Sequence, residues 1–227
     1  MGLRAAARSE LAPITKRAAA SGRSGALAAA HALLAVGDYR AAKRLAGPYC
    51  SKPWKGGDAV AQQVCTPRPE SGIVSAVAER FGLDPLVPYG IMTAESALDP
   101  SVTSIAGARG LMQLMPKEAG RVHAELYGDR AYDPVDLYSA PYNASLGTAE
   151  LGLKAQALEG VLQGTSLPAA IAAYNGGEAA VRRWVASFDE APEADVFAEA
   201  IGYTETRRYV RRVLGFTMAY RWVYGDP

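Results

Sequence analysis

The sequence lacks any apolar run long enough to span a bilayer, and it has almost no excess of charge of either sign. Its 24 lysines and arginines are balanced by 23 acidic residues, which leaves a formal net charge of +1. A chain so close to neutrality has no global electrostatic signature for nucleic acid or a membrane surface. The first residues, MGLRAAARSELAP, also lack the hydrophobic segment of a secretory signal. We therefore expect no nucleic-acid partner, no transmembrane segment and no signal peptide in this chain.

Cysteine and histidine are scarce as well. Cys50 and Cys65 are the only cysteines, and His31 and His123 are the only histidines. A metal site would need more ligands than these, so we expect neither a metal nor another cofactor. The two cysteines flank the loop-like stretch YCSKPWKGGDAVAQQVC. Their spacing is compatible with a disulfide and equally with two separate buried thiols.

Valine and isoleucine are few, whereas alanine is abundant, and no segment alternates in the way a strand does. This balance predicts an all-α fold. Residues 1–70 read as an α-helical hairpin followed by a Pro- and Gly-containing linker, with a turn at Gly37 and Asp38. The hairpin is typical of the end of a helical repeat region whose upstream part lies outside this chain, although a plain helical extension fits the same pattern. Residues 71–227 form the second predicted domain.

Several helices are predicted in this second domain from period and end signals. Gly82 ends the first, Pro116 begins one that reaches about Tyr127, and Ser166 caps another that ends at Gly176 and Gly177. A long helix is predicted from Pro141 to about Leu158, another across Trp184, and the last from near Thr204 through Tyr224.

A short helix before the Asp99-Pro100 pair contains an unusual acid. Glu95 projects between Ile91 and Met92, on a face where a core helix normally has a leucine. An ionised carboxylate buried there without a partner costs several kcal/mol, so the position requires an explanation. One is a structural ion pair with an arginine such as Arg109. The other is a catalytic acid, because apolar surroundings keep a carboxyl protonated near neutral pH.

Four short stretches favour the catalytic interpretation. They are AES at Glu95 and Ser96, GARGLMQLMP at 107–116, AAYNGG at 172–177, and YTETRRYVRRVL at 203–214. Together, and in this order, they resemble the catalytic domain of the soluble lytic transglycosylases, which has a goose-type lysozyme fold. The resemblance covers roughly residues 71 to 225.

The resemblance implies roles for the residues in these stretches. Glu95 is the catalytic acid, and the residues predicted to bind the substrate are Ser96, Ser104, Met112, Gln113, Tyr174, Asn175 and Glu205. Several have a plainer alternative: Met112 also suits core packing, and the Gln113 amide, predicted to bind an acetamido group or the catalytic carboxyl, also suits bracing of the backbone. Glu205 also suits a favourable interaction with a helix dipole. In the resembled family the tyrosine of the third stretch lies close to the catalytic glutamate, so Tyr174 is expected beside Glu95.

The implied substrate is the glycan strand of peptidoglycan, and the implied location is the periplasm or cell envelope. In the family chemistry one glutamate acts first as acid and then as base, which closes a 1,6-anhydro ring without water as nucleophile. The alternatives are a goose-type hydrolase with the same acid and a non-catalytic peptidoglycan-binding module. An envelope location also favours a disulfide between Cys50 and Cys65.

Overall fold

The computed structural model describes residues 2–50 and 59–225. In those ranges the regular structure consists of twelve α-helices and short 3-10 helices, and β pairing is limited to isolated bridges, so the prediction of an all-α fold is confirmed. The helices are α1 Gly2–Ala20, α2 Arg23–Ala35, α3 Tyr39–Ala46, α4 Ala59–Cys65, α5 Ser71–Arg80, α6 Val87–Ser96, α7 Pro116–Tyr127, α8 Ala140–Ala157, α9 Leu167–Gly176, α10 Glu178–Val185, α11 Ala194–Ala200 and α12 Thr204–Tyr224. None of the helices in the described part of the chain combines the length and apolar character needed to cross a membrane.

Local end signals explain several helix starts. Prolines occupy the first or second position of α7, α8 and α9, where their missing N–H has no intrahelical partner to lose. Asp38 caps α3 by accepting a hydrogen bond from the backbone N–H of Ala41 at 3.2 Å. Ser166 lies at the expected cap position of α9 but makes no capping bond with its side chain. Thr165 accepts from the N–H of Leu167 at 3.3 Å instead.

The helix that carries Glu95 ends earlier than predicted. The sequence places its end at Asp99 and Pro100, whereas α6 ends at Ser96. Ala97 and Leu98 adopt φ values of 52° and 68°, in the left-handed region that residues with a Cβ seldom enter. The chain therefore turns away immediately after the acid, which leaves Glu95 in the last turn of its helix.

Two further helices were not predicted. The segment from Lys52 to Ser71 was expected to be a linker, yet it contains α4, whose Ala61 and Val64 are fully buried. Burial of this apolar pair explains why the helix forms in a stretch rich in turn residues. The remainder of the predicted linker, residues 51–58, lies outside the described residues. The second unpredicted helix is α11, which buries Phe197.

The chain divides into two compact units, and the first comprises Met1–Pro69, Ala97–Asp99 and Met218–Pro227. Its described helices α1 to α4 pack in succession around a small core of Leu27, Ala30, Leu33, Ala42, Ala46, Ala61 and Val64. Within the unit, Arg40 pairs with Asp99 at 3.3 Å, and the Tyr220 hydroxyl donates to the carbonyl oxygen of Pro67 at 2.9 Å. The sequence predicts a boundary between two domains at residue 70. The first compact unit also includes residues 97–99 and 218–225, so that boundary stays a prediction.

A disulfide joins Cys50 and Cys65, whose Cα atoms are 5.9 Å apart, so the prediction of a bond is confirmed. It joins the residue four positions after α3 to the last residue of α4, and both cysteines pack against the core of the first unit. On the chain-entropy account, a closed loop of about 15 residues stabilises the fold by roughly 3 kcal/mol.

We predict that removing this disulfide with the double variant Cys50→Ala/Cys65→Ala lowers the free energy of unfolding of the first unit by about 3 kcal/mol. Denaturant titration of the variant and the wild type measures the difference. Thiol titration of the unfolded, unreduced wild type should find no free thiol, and two reactive thiols would contradict the bond.

The second unit comprises Glu70–Ser96 and Pro100–Thr217. Its centre is α8, which contacts α5, α6, α7, α9 and the short 3-10 helix Pro134–Tyr138. Residues on nearly every side of α8 are buried, from Asn143 through Gly152. A helix buried all round is normally apolar, so the buried polar groups Asn143 and Glu150 stand out on it. Asn143 bonds to the backbone of Arg109 and Met112, and the charge of Glu150 acts on Glu95.

Candidate active site

Close packing of α6 on α12 brings Glu95 to its partners. Gly90 lies on the face of α6 that contacts α12, and a Cβ there would overlap Thr217 and approach the carbonyl oxygen of Val213 to 2.9 Å. Absence of a side chain at Gly90 therefore lets the two helices approach. One turn and a half further along α6, the carboxyl of Glu95 reaches the inner face of α12.

Glu95 accepts a hydrogen bond at Oε1 from the hydroxyl of Tyr209 at 2.6 Å. Burial raises the pKa of Glu95 from 4.5 to about 7, against the lowering effects of the Tyr209 hydrogen bond and the charge of Arg212. Burial is the largest cause, and the nearby carboxyl of Glu150 raises the pKa further. A carboxyl with a pKa of about 7 keeps its proton in a large share of molecules at neutral pH, as a general acid requires.

The alternative of a structural ion pair with Arg109 is wrong. The Arg109 guanidinium donates to the carbonyl oxygen of Pro134 at 2.9 Å and lies 5.7 Å from the ring centre of Tyr138. The arginine whose charge lowers the pKa of Glu95 is Arg212. Its guanidinium donates to the carbonyl oxygen of Ala94 at 3.4 Å. It opposes the rise in pKa without abolishing it.

The loop from Val102 to Leu114 lies beside the acid and is held by isolated bridges of Arg109 with Thr103 and Leu114. Gln113 has a φ of 49°, and its Nε2 donates to the carbonyl oxygens of Val102 and Gly110 at 3.0 Å each. The amide thus braces the backbone, as the plainer interpretation expects, and the hydrogen bond to Glu95 comes from Tyr209. A contact between Gln113 and an acetamido group stays a prediction.

Asn143 fastens this loop to α8, and sequence reasoning missed it. Its Oδ1 accepts from the N–H of Met112 at 2.8 Å, and its Nδ2 donates to the carbonyl oxygens of Arg109 and Leu137 at 2.9 Å each. The side chain is fully buried, so three backbone groups that water cannot reach depend on it. A buried asparagine in an alanine-rich helix is the signal that identifies it.

Two of the predicted residues, Ser96 and Tyr174, hydrogen-bond to the backbone of the loop. The hydroxyl of Ser96 donates to the carbonyl oxygen of Leu111 at 2.7 Å, and that of Tyr174 donates to the carbonyl oxygen of Met112 at 2.9 Å. Burial raises the pKa of Tyr174 well above its usual range, so the hydroxyl keeps its proton. Met112 has no exposed surface, and its side chain packs on Gly147 of α8. A contact between the Met112 side chain and a glycan stays a prediction that this placement does not favour.

The remaining predicted residues lie further from the acid. Ser104 is half-buried, and its hydroxyl accepts from the N–H of Ala108 at 3.0 Å, which closes the tip of the loop. Asn175 is exposed at the end of α9, where its Oδ1 accepts from the hydroxyl of Thr206 at 2.7 Å. Glu205 is exposed in the first turn of α12. Their roles in substrate binding stay predictions.

Tyr209 is the second residue that sequence reasoning missed. The charge of Glu95 acts on Tyr174, the tyrosine expected beside it, but the hydroxyl that contacts the carboxyl belongs to Tyr209. Thr206, Tyr209, Val213 and Thr217 are buried at helical spacing along α12. This period places Tyr209 on the inner face, so a count along the final helix would have selected it.

We predict that Tyr209→Phe moves the alkaline limb of the pH-rate profile, where the rate falls as Glu95 loses its proton, to higher pH. The hydroxyl favours the ionised form of Glu95, so its removal raises the pKa of the carboxyl further. A pH-rate profile of the variant and the wild type measures the change. A limb at the same or lower pH would show that the 2.6 Å hydrogen bond does not act on the acid.

The geometry defines a helical domain with a partly buried carboxyl of raised pKa in the last turn of a helix, beside a braced loop. Comparison with known proteins is consistent with this site. Residues 73–197 match the family described as the transglycosylase SLT domain. Since the match covers more than half of the chain, the protein belongs to this family.

The relatives carry related descriptions. The soluble lytic murein transglycosylase of Escherichia coli (strain K12) is 35% identical over 137 residues, which is 60% of this chain and 20% of that protein. The membrane-bound lytic murein transglycosylase C of Actinobacillus pleuropneumoniae is 40% identical over 112 residues, covering 48% of this chain and 31% of the relative. The chain thus spans about a fifth to a third of the length of these relatives.

Two solved structures are similar in fold. An inactive mutant of the lytic transglycosylase Slt from Pseudomonas aeruginosa has a TM-score of 0.67 at 27% identity, with 91% of this chain and 32% of that chain covered. The 70 kDa soluble lytic transglycosylase of Escherichia coli has a TM-score of 0.69 at 24% identity, with 92% and 37% covered. The second likeness supports the all-helical fold.

Proposed function

We propose that the chain is a peptidoglycan lytic transglycosylase, which cleaves the β-1,4 bond between N-acetylmuramic acid and N-acetylglucosamine without water. The observation that carries this proposal is the carboxyl of Glu95, with its pKa raised to about 7 and a hydrogen bond from Tyr209. Membership of the SLT family and the descriptions of the relatives support the same activity. Activity in the periplasm or cell envelope, where peptidoglycan lies, is part of the proposal.

In the proposed reaction, Glu95 donates its proton to the glycosidic oxygen while the bond from that oxygen to C1 of the muramic residue breaks. The acetamido group of the same sugar stabilises the positive C1, as in other enzymes that depart from the two-carboxylate rule. The carboxylate of Glu95 then takes the proton of the C6 hydroxyl, whose oxygen bonds to C1 and closes the 1,6-anhydro ring. Glu95 ends protonated again, so one group serves as acid and as base.

The environment of Glu95 suits both steps. Burial favours the protonated carboxyl that starts the reaction, whereas Tyr209 and Arg212 favour the carboxylate that follows. A pKa of about 7 balances these requirements, since an acid that also serves as base works best near the operating pH.

Mass analysis of the products tests the proposal. Purified sacculi are digested with the wild-type chain, with the variant Glu95→Gln and, separately, with a lysozyme. We expect wild-type muropeptides that are lighter by one water than the lysozyme products and that resist borohydride reduction, because the C6 hydroxyl has replaced water at C1. Reducing ends would instead support a hydrolase, and no cleavage of any sacculus would favour a binding module.

A further inference from the structure

A second acid lies inside the same unit, and the proposed reaction does not use it. Glu150 is on α8, with 6% of its surface exposed. It follows Asn143 and Gly147 at helical spacing on one stripe of α8, and both of these residues contact the loop of residues 109–112. Glu150 therefore lies on the face of α8 directed at the loop of residues 102–114, where an apolar side chain would be expected.

An ion pair explains how a carboxylate is tolerated there. The ammonium of Lys154, one turn along α8, lies 3.3 Å from Oε1 of Glu150, and its side chain is 13% exposed. Lys154 in turn lies 3.9 Å from Glu118 on α7, which pairs with Arg121 at 2.7 Å. The chain of charges thus leads from the surface of α7 to the buried carboxyl. Burial raises the pKa of Glu150 overall, and the nearby ammonium of Lys154 offsets part of that rise by favouring the ionised form.

The charge of Glu150 acts on the groups of the active site. Burial is the largest cause of the raised pKa of Glu95 and of the hydroxyls of Tyr174 and Tyr209, and the charge of Glu150 raises each of these pKa values further. These three groups come from α6, α9 and α12, and both α6 and α9 pack against α8. Glu150 thus acts on acidic groups from three different helices around Glu95.

We propose that Glu150 is a positioning residue whose carboxylate, held ionised by Lys154, keeps the proton on Glu95 by repulsion between like charges. The inference rests on the proposed function of Glu95. Two neighbouring carboxyls cannot both ionise easily in a poorly polar interior, so the first to ionise holds the proton on the second. The ammonium of Lys154 favours ionisation of Glu150 before that of Glu95.

The other charged groups on the elements around α8 do not supply this effect. Arg212 on α12 lowers the pKa of Glu95, which is the opposite direction. Helix α5 packs on α8 through its apolar face, and its charged residues Glu79 and Arg80 are exposed. On α7, Glu118 lies 3.9 Å from Lys154 and pairs with Arg121 at 2.7 Å, and Glu125 is exposed. Glu150 is the charge that raises the pKa of Glu95 beyond the effect of burial.

The test compares pH-rate profiles of kcat for peptidoglycan cleavage by the wild type, Glu150→Gln and the control Glu125→Gln. We expect Glu150→Gln to move the alkaline limb down by about half a pH unit, which lowers the rate about threefold at pH values above the limb. The control removes the same charge from an exposed position and should leave the limb unchanged. A purely structural role for Glu150 would change the size of kcat but not the position of the limb.

A second variant guards against misfolding. Glu150→Gln leaves Lys154 without its buried partner, whereas Glu150→Gln/Lys154→Met replaces the pair by uncharged groups of similar volume, a change that folds commonly tolerate. The double variant should also move the limb down, because Lys154 has no direct effect on Glu95 comparable with that of Glu150. An unmoved limb in either folded variant, or an equal movement in the Glu125→Gln control, overturns the proposal.

Titration of Glu95 by carbon-13 NMR of its carboxyl, without substrate, separates this proposal from the proposed function. The signal is assigned from its loss in Glu95→Gln. A lower pKa of Glu95 in Glu150→Gln than in the wild type supports the role of Glu150 even if the wild type cleaves no sacculus. Equal pKa values with normal wild-type cleavage would refute the role of Glu150 and leave the proposed function standing.

Discussion

Replacing Glu95 by glutamine is expected to lower the rate of peptidoglycan cleavage by about 10⁴-fold or more. General acid-base catalysis by one group typically contributes about 10²–10⁴-fold, and here both proton transfers depend on the same carboxyl. Glutamine keeps the shape of the side chain and still accepts from Tyr209, but it neither donates nor accepts the proton. The loss should therefore appear in kcat, with glycan binding unchanged.

Rates of release of soluble muropeptides, measured beside a sacculus-binding assay, check this expectation. Glu125→Gln is the matched control, since it makes the same chemical change at an exposed position of α7. A loss below about tenfold in Glu95→Gln would show that another group supplies the proton. A parallel loss of sacculus binding would show that the substitution disturbs the cleft rather than the chemistry.

The same substitution is expected to stabilise the fold above neutral pH. Glu95 keeps its proton to a pKa of about 7 in the folded chain, whereas the ordinary value for the unfolded chain is 4.5. Below pH 4.5 both states are protonated and the group has no effect on stability. Between pH 4.5 and 7 only the unfolded state loses its proton, so stability falls as the pH rises. Each pH unit corresponds to about 1.4 kcal/mol, which gives a full loss of about 3 kcal/mol above pH 7.

Glutamine does not ionise, so Glu95→Gln should escape this loss. We expect a gain of about 2 to 3 kcal/mol in the free energy of unfolding at pH 8, somewhat reduced because the new amide hydrogens need partners. At pH 4.5 the gain should vanish. Denaturant titrations at both pH values, followed by circular dichroism, measure the two differences. An equal effect at pH 4.5 and pH 8 would mean that the pKa of Glu95 is not raised in the folded chain.

Much of the fold and the acid itself were predictable from local signals. Pro116 and the Gly176-Gly177 pair mark helix ends that the structure confirms, because their dihedral preferences act within a few residues. Glu95 was identifiable because a carboxyl on an apolar face contradicts the pattern around it. The burial that raises the pKa of Glu95 follows from the same position.

Contacts between distant segments were not predictable from such signals. The bond from Tyr209 to Glu95 joins residues that are 114 positions apart, and the bonds of Asn143 reach back to Arg109 and Met112. Periodicity shows that such side chains point inward but not what they meet there. The early end of α6 was not predictable for a different reason. Ala97 and Leu98 have no intrinsic preference for positive φ, and their surroundings hold them in that conformation.

The three bonds of Asn143 have a consequence for hydrogen exchange. The loop of residues 107–114 has little regular structure, and loops of this kind usually exchange their amide hydrogens through local opening. The amide of Met112, however, donates to Oδ1 of a fully buried side chain on α8. It should therefore exchange as slowly as the amides of α8 itself, through the same cooperative opening. The loop of residues 102–114 then belongs to the most stable part of its unit, so its geometry beside Glu95 is set in the free protein.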